Sequence, residues 1–180
     1  MDKYKREAME RPPKTTVEGE AGAGKSYFAL SAPKAFVINT DDGIDEILLR
    51  KPDIMVADAV PVGDIEGNAK IFDGILNTLT ELAKEKHDRK TIIIDSLDRL
   101  ETLAQAKVCV EHAIKAPEDL GYGKAYVYAR GKIQRILAGL NYLREHKGME
   151  PICVCHTQIR TINKPTLEPY DIFTLKLHKA

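Results

Sequence analysis

The sequence predicts an α/β fold built on a mostly parallel central sheet with helices on both faces. Three observations carry that expectation. Short β-rich runs alternate with helical stretches along most of the 180 residues, the pattern of repeated strand–helix–strand units. Two runs, Ala35-Phe36-Val37-Ile38-Asn39 and Thr91-Ile92-Ile93-Ile94-Asp95, are almost continuously apolar, as strands covered on both faces are. Finally, Gly19-Glu20-Ala21-Gly22-Ala23-Gly24-Lys25-Ser26 fills the pattern G-x-x-x-x-G-K-[ST] between a β-like stretch and a helix-compatible one, the context that pattern requires.

Taken in order, the first 13 residues read as a loose leader. They are polar, include Arg11-Pro12-Pro13 and have no apolar core of a secretory signal. A single domain is expected over residues 14–180. Thr15 to Val17 predicts a strand, and Lys25 to Ser31 a helix. The strand Ala35–Asn39 runs into an acidic turn, Thr40-Asp41-Asp42-Gly43. Ile54 to Val56 with Ala59-Val60 suggests a further strand between Pro52 and Pro61. Ile71, Phe72, Ile75, Leu76, Leu79, Leu82 and Ala83 recur at helical spacing. After the strand Thr91–Asp95, Ser96 stands as N-cap of a helix whose inner face is Leu97, Leu100, Leu103 and Ala104. Residues 116–123 read as a loop. Ile133, Ile136, Leu137, Leu140 and Leu143 mark a long helix ending near Gly148. Pro151 to His156 predicts a buried strand and Phe173 to Leu177 a last, weakly alternating one.

Apolar residues make up 43% and charged residues 30%, the balance of a soluble globular domain. No run approaches the ~18 apolar residues that span a bilayer, so no membrane association is expected. Lys+Arg and Asp+Glu are both 27, without the basic excess usual in proteins that grip a duplex backbone. Any nucleic-acid contact would need a local patch. Three cysteines, Cys109, Cys153 and Cys155, are too few for a disulfide framework and fit a reducing cytoplasm. Cys153-Val154-Cys155-His156 lacks the spacing and second ligand pair of a zinc site, and a place in the buried strand explains both cysteines.

The loop at residues 19–26 carries the chemistry. Glycines at 19, 22 and 24 allow a tight turn whose N–H groups face a polyphosphate. Lys25 directs a charge at the β- and γ-phosphates, Ser26 offers a hydroxyl to Mg²⁺, and the helix start favours the anion. Tyr27 adjoins the same loop. In a parallel sheet ligands bind beyond the carboxyl ends of the strands, where Gly19, Asp41, Asp95 and His156 all fall. Asp95 suits the role of metal holder; a helix-capping role shared with Ser96 and Asp98 is the plainer alternative. Asp41, or Asp42 behind it, is the candidate to position an attacking water, against the ordinary acidic turn that Asp-Asp-Gly also makes. His156 and Gln158 are candidates to sense a γ-phosphate. Lys124, Arg130, Lys132 and Arg135, with Tyr122, Tyr126 and Tyr128, form either a solvated helix face or a stacking surface for single strands.

Together these blocks resemble the RecA-like (AAA-type) ATP-binding proteins of phages and prophages, some of them associated with single-strand-annealing recombination. The resemblance rests on Gly19–Ser26 as Walker A and on Asn39-Thr40-Asp41-Asp42-Gly43 beside the family's D-T-E-G-G turn. It rests also on Thr91–Ser96 as Walker B, Gly121-Tyr122-Gly123-Lys124-Ala125-Tyr126 beside Y-G-K-G-Y, and Cys155-His156 beside an A-H strand end. It covers about residues 14 to 178. It implies a RecA-like three-layer sandwich that binds and hydrolyses ATP with Mg²⁺ in the (host) cytoplasm. It also implies service to phage recombination or replication, with single-stranded DNA, a recombination or replication protein, or further copies of the chain as partners. Two departures stand out. Asp41 replaces a longer Glu, and the chain stops at Ala180 where relatives continue into a further helix and strand.

The leading expectation is thus a Mg²⁺-dependent ATPase with Lys25, Asp41, Asp95 and His156 at the reacting phosphates. A nucleotide-gated binding module with little turnover is the second reading. A small-molecule kinase ranks last, because Arg130 to Arg135, the only lid-like arginines, fall inside a predicted helix.

Overall fold

The computed structural model describes residues 11–164 and 167–177. In chain order they form β1 (Thr15–Gly19), α1 (Lys25–Ala29), β2 (Ala35–Asn39), α2 (Asp45–Arg50), β3 (Met55–Asp58), α3 (Ile65–Lys84), β4 (Thr91–Asp95), α4 (Leu97–Glu111), α5 (Lys124–His146), β5 (Glu150–Lys164) and β6 (Leu167–Leu175). A 3₁₀ turn, Pro117–Leu120, precedes α5. The strands lie in the order β1-β5-β4-β2-β3, all parallel, and β6 pairs antiparallel with β5. This is the mostly parallel α/β sheet that the strand–helix alternation predicts.

Strand pleating divides the core in two, because successive side chains point to opposite faces. Phe36, Ile38, Ile92, Ile94 and Cys153 pack in one cluster with Phe72 and Ile75 of α3, Leu100 and Leu103 of α4, and Ile136 and Leu140 of α5. Their neighbours Val37, Ile93, Ile152 and Val154 join a smaller cluster with Ala29, Leu30 and Ile44. Both β2 and β4 are buried at every residue, which is why each lacks apolar–polar alternation.

Several elements differ from expectation. α3 begins at Ile65, capped by Asp64 accepting from the Gly67 N–H, a full turn before the apolar stripe begins. α2 follows the acidic turn, in a stretch for which the sequence pattern predicts no element. The strand expected to end at His156 continues to Lys164, and the last strand starts at Leu167 rather than Phe173. Beyond His156, β5 pairs only with β6, so its polar residues face solvent and no apolar run marks it. Ser96 occupies the N-cap of α4 but makes no side-chain cap hydrogen bond. Of the expected leader, residues 1–10 lie outside the described residues. Arg11 is paired with Glu145 at 2.8 Å, and the Pro12 carbonyl accepts from Arg144, so this part of the segment is tied to the end of α5.

Among the described residues, no helix is long and apolar enough to cross a membrane. All three cysteines are free and buried. Burial pushes the Cys153 and Cys155 thiols up to about 11, which keeps them protonated at neutral pH.

Candidate nucleotide-binding site

β1 delivers the chain into the loop and α1 takes it away. Gly22 and Gly24 adopt φ of 79° and 81°, a left-handed conformation that glycine enters without a Cβ clash. Gly24 is also the N-cap of α1. Gly19 is different. It closes β1 opposite His156, and an added Cβ would make only ordinary contacts with Ala23 and Lys25, so the expected need for glycine holds at 22 and 24 but not at 19. Lys25 is only 7% exposed. Its Nζ lies across the loop, donating to the Glu20 carbonyl at 2.6 Å, and the Ala23 N–H reaches the same oxygen at 3.3 Å.

At the centre of the sheet edge stands Asp95, 1% exposed. Burial raises its carboxyl above the ordinary value; the Ser26 hydroxyl is the strongest opposing influence, Asp41 adds to the rise, and His156 and Lys25 counter it. Asp95 Oδ2 is buried without a hydrogen-bond partner. An orphaned carboxylate oxygen facing a serine hydroxyl is the donor set a hard cation takes. Among the described residues no three His, Cys, Asp or Glu side chains cluster as an all-protein cage. A Mg²⁺ ion fits this arrangement, since it is usually held by one or two protein oxygens together with water and phosphate.

The turn after β2 is fastened to the turn after β4. The N–H groups of Thr40 and Asp41 both donate to the Asp95 carbonyl, at 2.6 and 3.0 Å. Buried Thr40 Oγ1 accepts from the Ser96 N–H at 2.6 Å and donates to the Ser96 carbonyl at 2.8 Å. Thr40 thus pairs both backbone groups of Ser96. The Asp95–Ser96 peptide within this junction is cis. Thr40→Val keeps the shape and orphans a buried N–H; we expect it to lower stability by about 1–3 kcal/mol, read as a lower urea midpoint with unchanged slope. An unaltered midpoint would show that the junction holds without the hydroxyl.

That fastening sets Asp41 beside His156. Asp41 Oδ2 lies 3.7 Å from His156 Nε2, and Asp41 Oδ1 lies 3.5 Å from Arg99 Nε. On its other edge His156 meets Asp98, whose Oδ1 and Oδ2 are each 3.1 Å from Nδ1 and whose Oδ1 also accepts from the His156 backbone N–H at 3.1 Å. Burial works against ionisation of Asp98, but the His156 backbone N–H and ring, with Ser96, hold its carboxyl below the usual value.

A cleft of about 530 Å³ runs along this edge, lined by Gly22, Lys25, Ser26, Asp41, Asp95 and His156 among others. Its size suits a nucleotide. The lining includes Ala21, Gly24 and Tyr27 too, while the Glu20 carbonyl is taken up by Lys25 and the Ala23 N–H. Tyr27 is half exposed, with the Lys51 ammonium 5.3 Å from its ring centre. Gln158 is not part of this cleft. It lines a separate one with Arg160, Lys176 and Glu101, and its Nε2 reaches the Leu175 carbonyl at 3.5 Å, because β5 has already left the nucleotide edge at that point. Sequence reasoning did not single out Thr40 or Arg99, and treated Asp98 only as a capping residue. The available signal was Asp98 three residues after Asp95, on the first turn of the following helix.

A glycine-shaped loop between a parallel strand and a helix, with a buried Asp at a nearby strand end, defines a P-loop nucleotide-binding protein. The family model described as AAA domain matches residues 11–180, and the chain belongs to that family. No curated protein matches it significantly.

Proposed function

We propose that this protein is a Mg²⁺-dependent ATPase working at the cleft beside residues 19–26. The observation that carries the reading is the buried, unpartnered Asp95 oxygen at the strand end that also faces Ser26, Asp41 and His156. Loop N–H groups and Lys25 hold the triphosphate; in doing so Lys25 exchanges the Glu20 carbonyl for phosphate oxygens. Ser26 and Asp95 hold the cation, which when bound draws charge from the β- and γ-phosphates. Asp41, supported by Arg99 and His156, orients the attacking water, with Asp42 the alternative on the same turn. His156 stands where a γ-phosphate would be felt.

The test is phosphate release by the purified chain, with and without Mg²⁺. Asp41→Ala is expected to leave ATP affinity within about twofold and to lower turnover about 100-fold, the lower end of the effect usual for a general base. Asp42→Ala serves as its comparison. A normal rate in Asp41→Ala with a loss in Asp42→Ala would move the role one residue along.

One observation favours the second reading, a nucleotide-gated module with little turnover: Asp41 already engages Arg99, and its side chain is shorter than a glutamate. Burst-limited phosphate release, one equivalent without steady turnover, would select it. The kinase reading loses its only lid candidate, since Arg130 and Arg135 lie inside α5.

The block order resembling phage and prophage proteins supports a role in DNA recombination or replication, with nucleotide state gating contact with single-stranded DNA or a partner protein. Tyr122 is fully exposed at the start of α5, and Tyr128 is half exposed and stacked on His112 at 5.1 Å. Exposed aromatic rings beside Lys124 and Arg130 suit base stacking. Binding of a labelled oligonucleotide at low and moderate salt, with and without ATP, tests that step.

A further inference from the structure

We propose that Asp98 is a positioning residue that fixes the ring of His156, taking its Nδ1–H and backbone N–H together and reserving Nε2 for the nucleotide cleft. The inference rests on the ATPase reading for its catalytic consequence, though not for its geometry.

A histidine ring is usually set by the hydrogen bond its second nitrogen makes. Here Nδ1 has two carboxylate oxygens at 3.1 Å, and the backbone N–H of the same residue bonds one of them. Three contacts to one carboxylate restrain both rotation of the ring and the choice of tautomer. The Asp98 side chain is 8% exposed, so water does not compete freely for it. An ionised carboxylate only accepts, so Nδ1 carries the hydrogen. Nε2 then faces Asp41 Oδ2 across 3.7 Å, too far for a direct hydrogen bond but suited to a bridging water. In the neutral ring Nε2 is an acceptor, and Asp41 Oδ2 is a second. A water donating one O–H to each would present its lone pair away from both, toward a γ-phosphate.

The experiment reads the ring and the rate separately. ¹⁵N spectra of the labelled full-length protein without nucleotide, with the His156 signals identified by their loss in His156→Gln, should show hydrogen on Nδ1. Asp98→Leu should convert the ring to a mixture or to the Nε2–H form, and Asp98→Asn, which keeps an acceptor oxygen, should retain the wild-type pattern. In turnover, Asp98→Leu should lower kcat about tenfold, as loss of such outer partners does, with KM unchanged, and Asp98→Asn should recover most of it. In a His156→Ala background Asp98→Leu should cost nothing further.

A wild-type ring with hydrogen on Nε2 and a bare Nδ1 overturns the proposal without any variant. So does an unaltered ring spectrum in folded Asp98→Leu, or a kcat loss that adds in full to that of His156→Ala. If the wild type does not hydrolyse ATP, the ATPase reading fails while the ring spectra still judge Asp98.

Discussion

Lys25→Ala is expected to weaken Mg²⁺·ATP binding about 100-fold and to abolish measurable turnover at ordinary ATP concentrations. Lys25 enters α1 directly after left-handed Gly24, and this aims its stem back over the loop. Its ammonium sits in a largely buried position with one carbonyl partner, so phosphate oxygens compete with Glu20 and little water. Hydrogen bonds to charged groups contribute about 1.5–3 kcal/mol, and 2.7 kcal/mol is a factor of ~100. The fold should be spared. The Glu20 carbonyl keeps the Ala23 N–H, and Ala at the first turn of a helix is well tolerated. Titration calorimetry with Mg²⁺·ATP, alongside a melting curve, separates the two effects. Near-normal affinity in a folded variant would remove the central assignment.

Asp95→Asn is expected to lower turnover about 100-fold, the rate equivalent of ~2.7 kcal/mol, and at the same time to stabilise the ligand-free protein. The second effect follows from the carboxyl being held above its ordinary value by burial. Folding favours the protonated form. The stability this gives is fully present below the ordinary carboxylate range near pH 4 and is lost as pH rises through the raised value. At neutral pH the ionised group is therefore a cost, and the amide removes it. The melting temperature without metal should rise by at least about 2 °C at pH 7, the shift of ~1 kcal/mol in a chain of this size. The gap should close toward pH 4. A purely structural aspartate would behave in the opposite way, losing stability when neutralised. Lower stability at pH 7 with unchanged turnover would end its assignment as a metal holder.

What the sequence reveals depends on whether a feature is local. The strands Ala35–Asn39 and Thr91–Asp95 coincide with their apolar runs because both faces are covered, and burial of that kind writes itself into composition. The loop at residues 19–26 is legible because its φ angles and its charge come from consecutive residues. α2 is short and contributes no fully buried side chain, so its sequence carries no strong stripe. The fastening of Thr40 to Ser96 joins residues 56 apart, and the Asp98–His156 contact spans 58. Neither pairing has a local signature; both are set by β4 lying between β2 and β5. Gln158 lies outside the cleft for the converse reason. Two residues past a site along a strand is about 7 Å, enough to leave the cleft.

The same strand that ends the nucleotide edge at His156 runs on to Lys164. At ~3.3 Å per residue its far end lies about 26 Å away. It is stiffened on one side by β6, and β1 and β4 grip it only up to His156. It therefore projects from the body of the sheet, held at the His156 end. A tilt of about 5° at His156 would sweep the tip through roughly 2 Å, given that strand length. A small rotation where the sheet holds this strand therefore becomes a larger displacement at its far end.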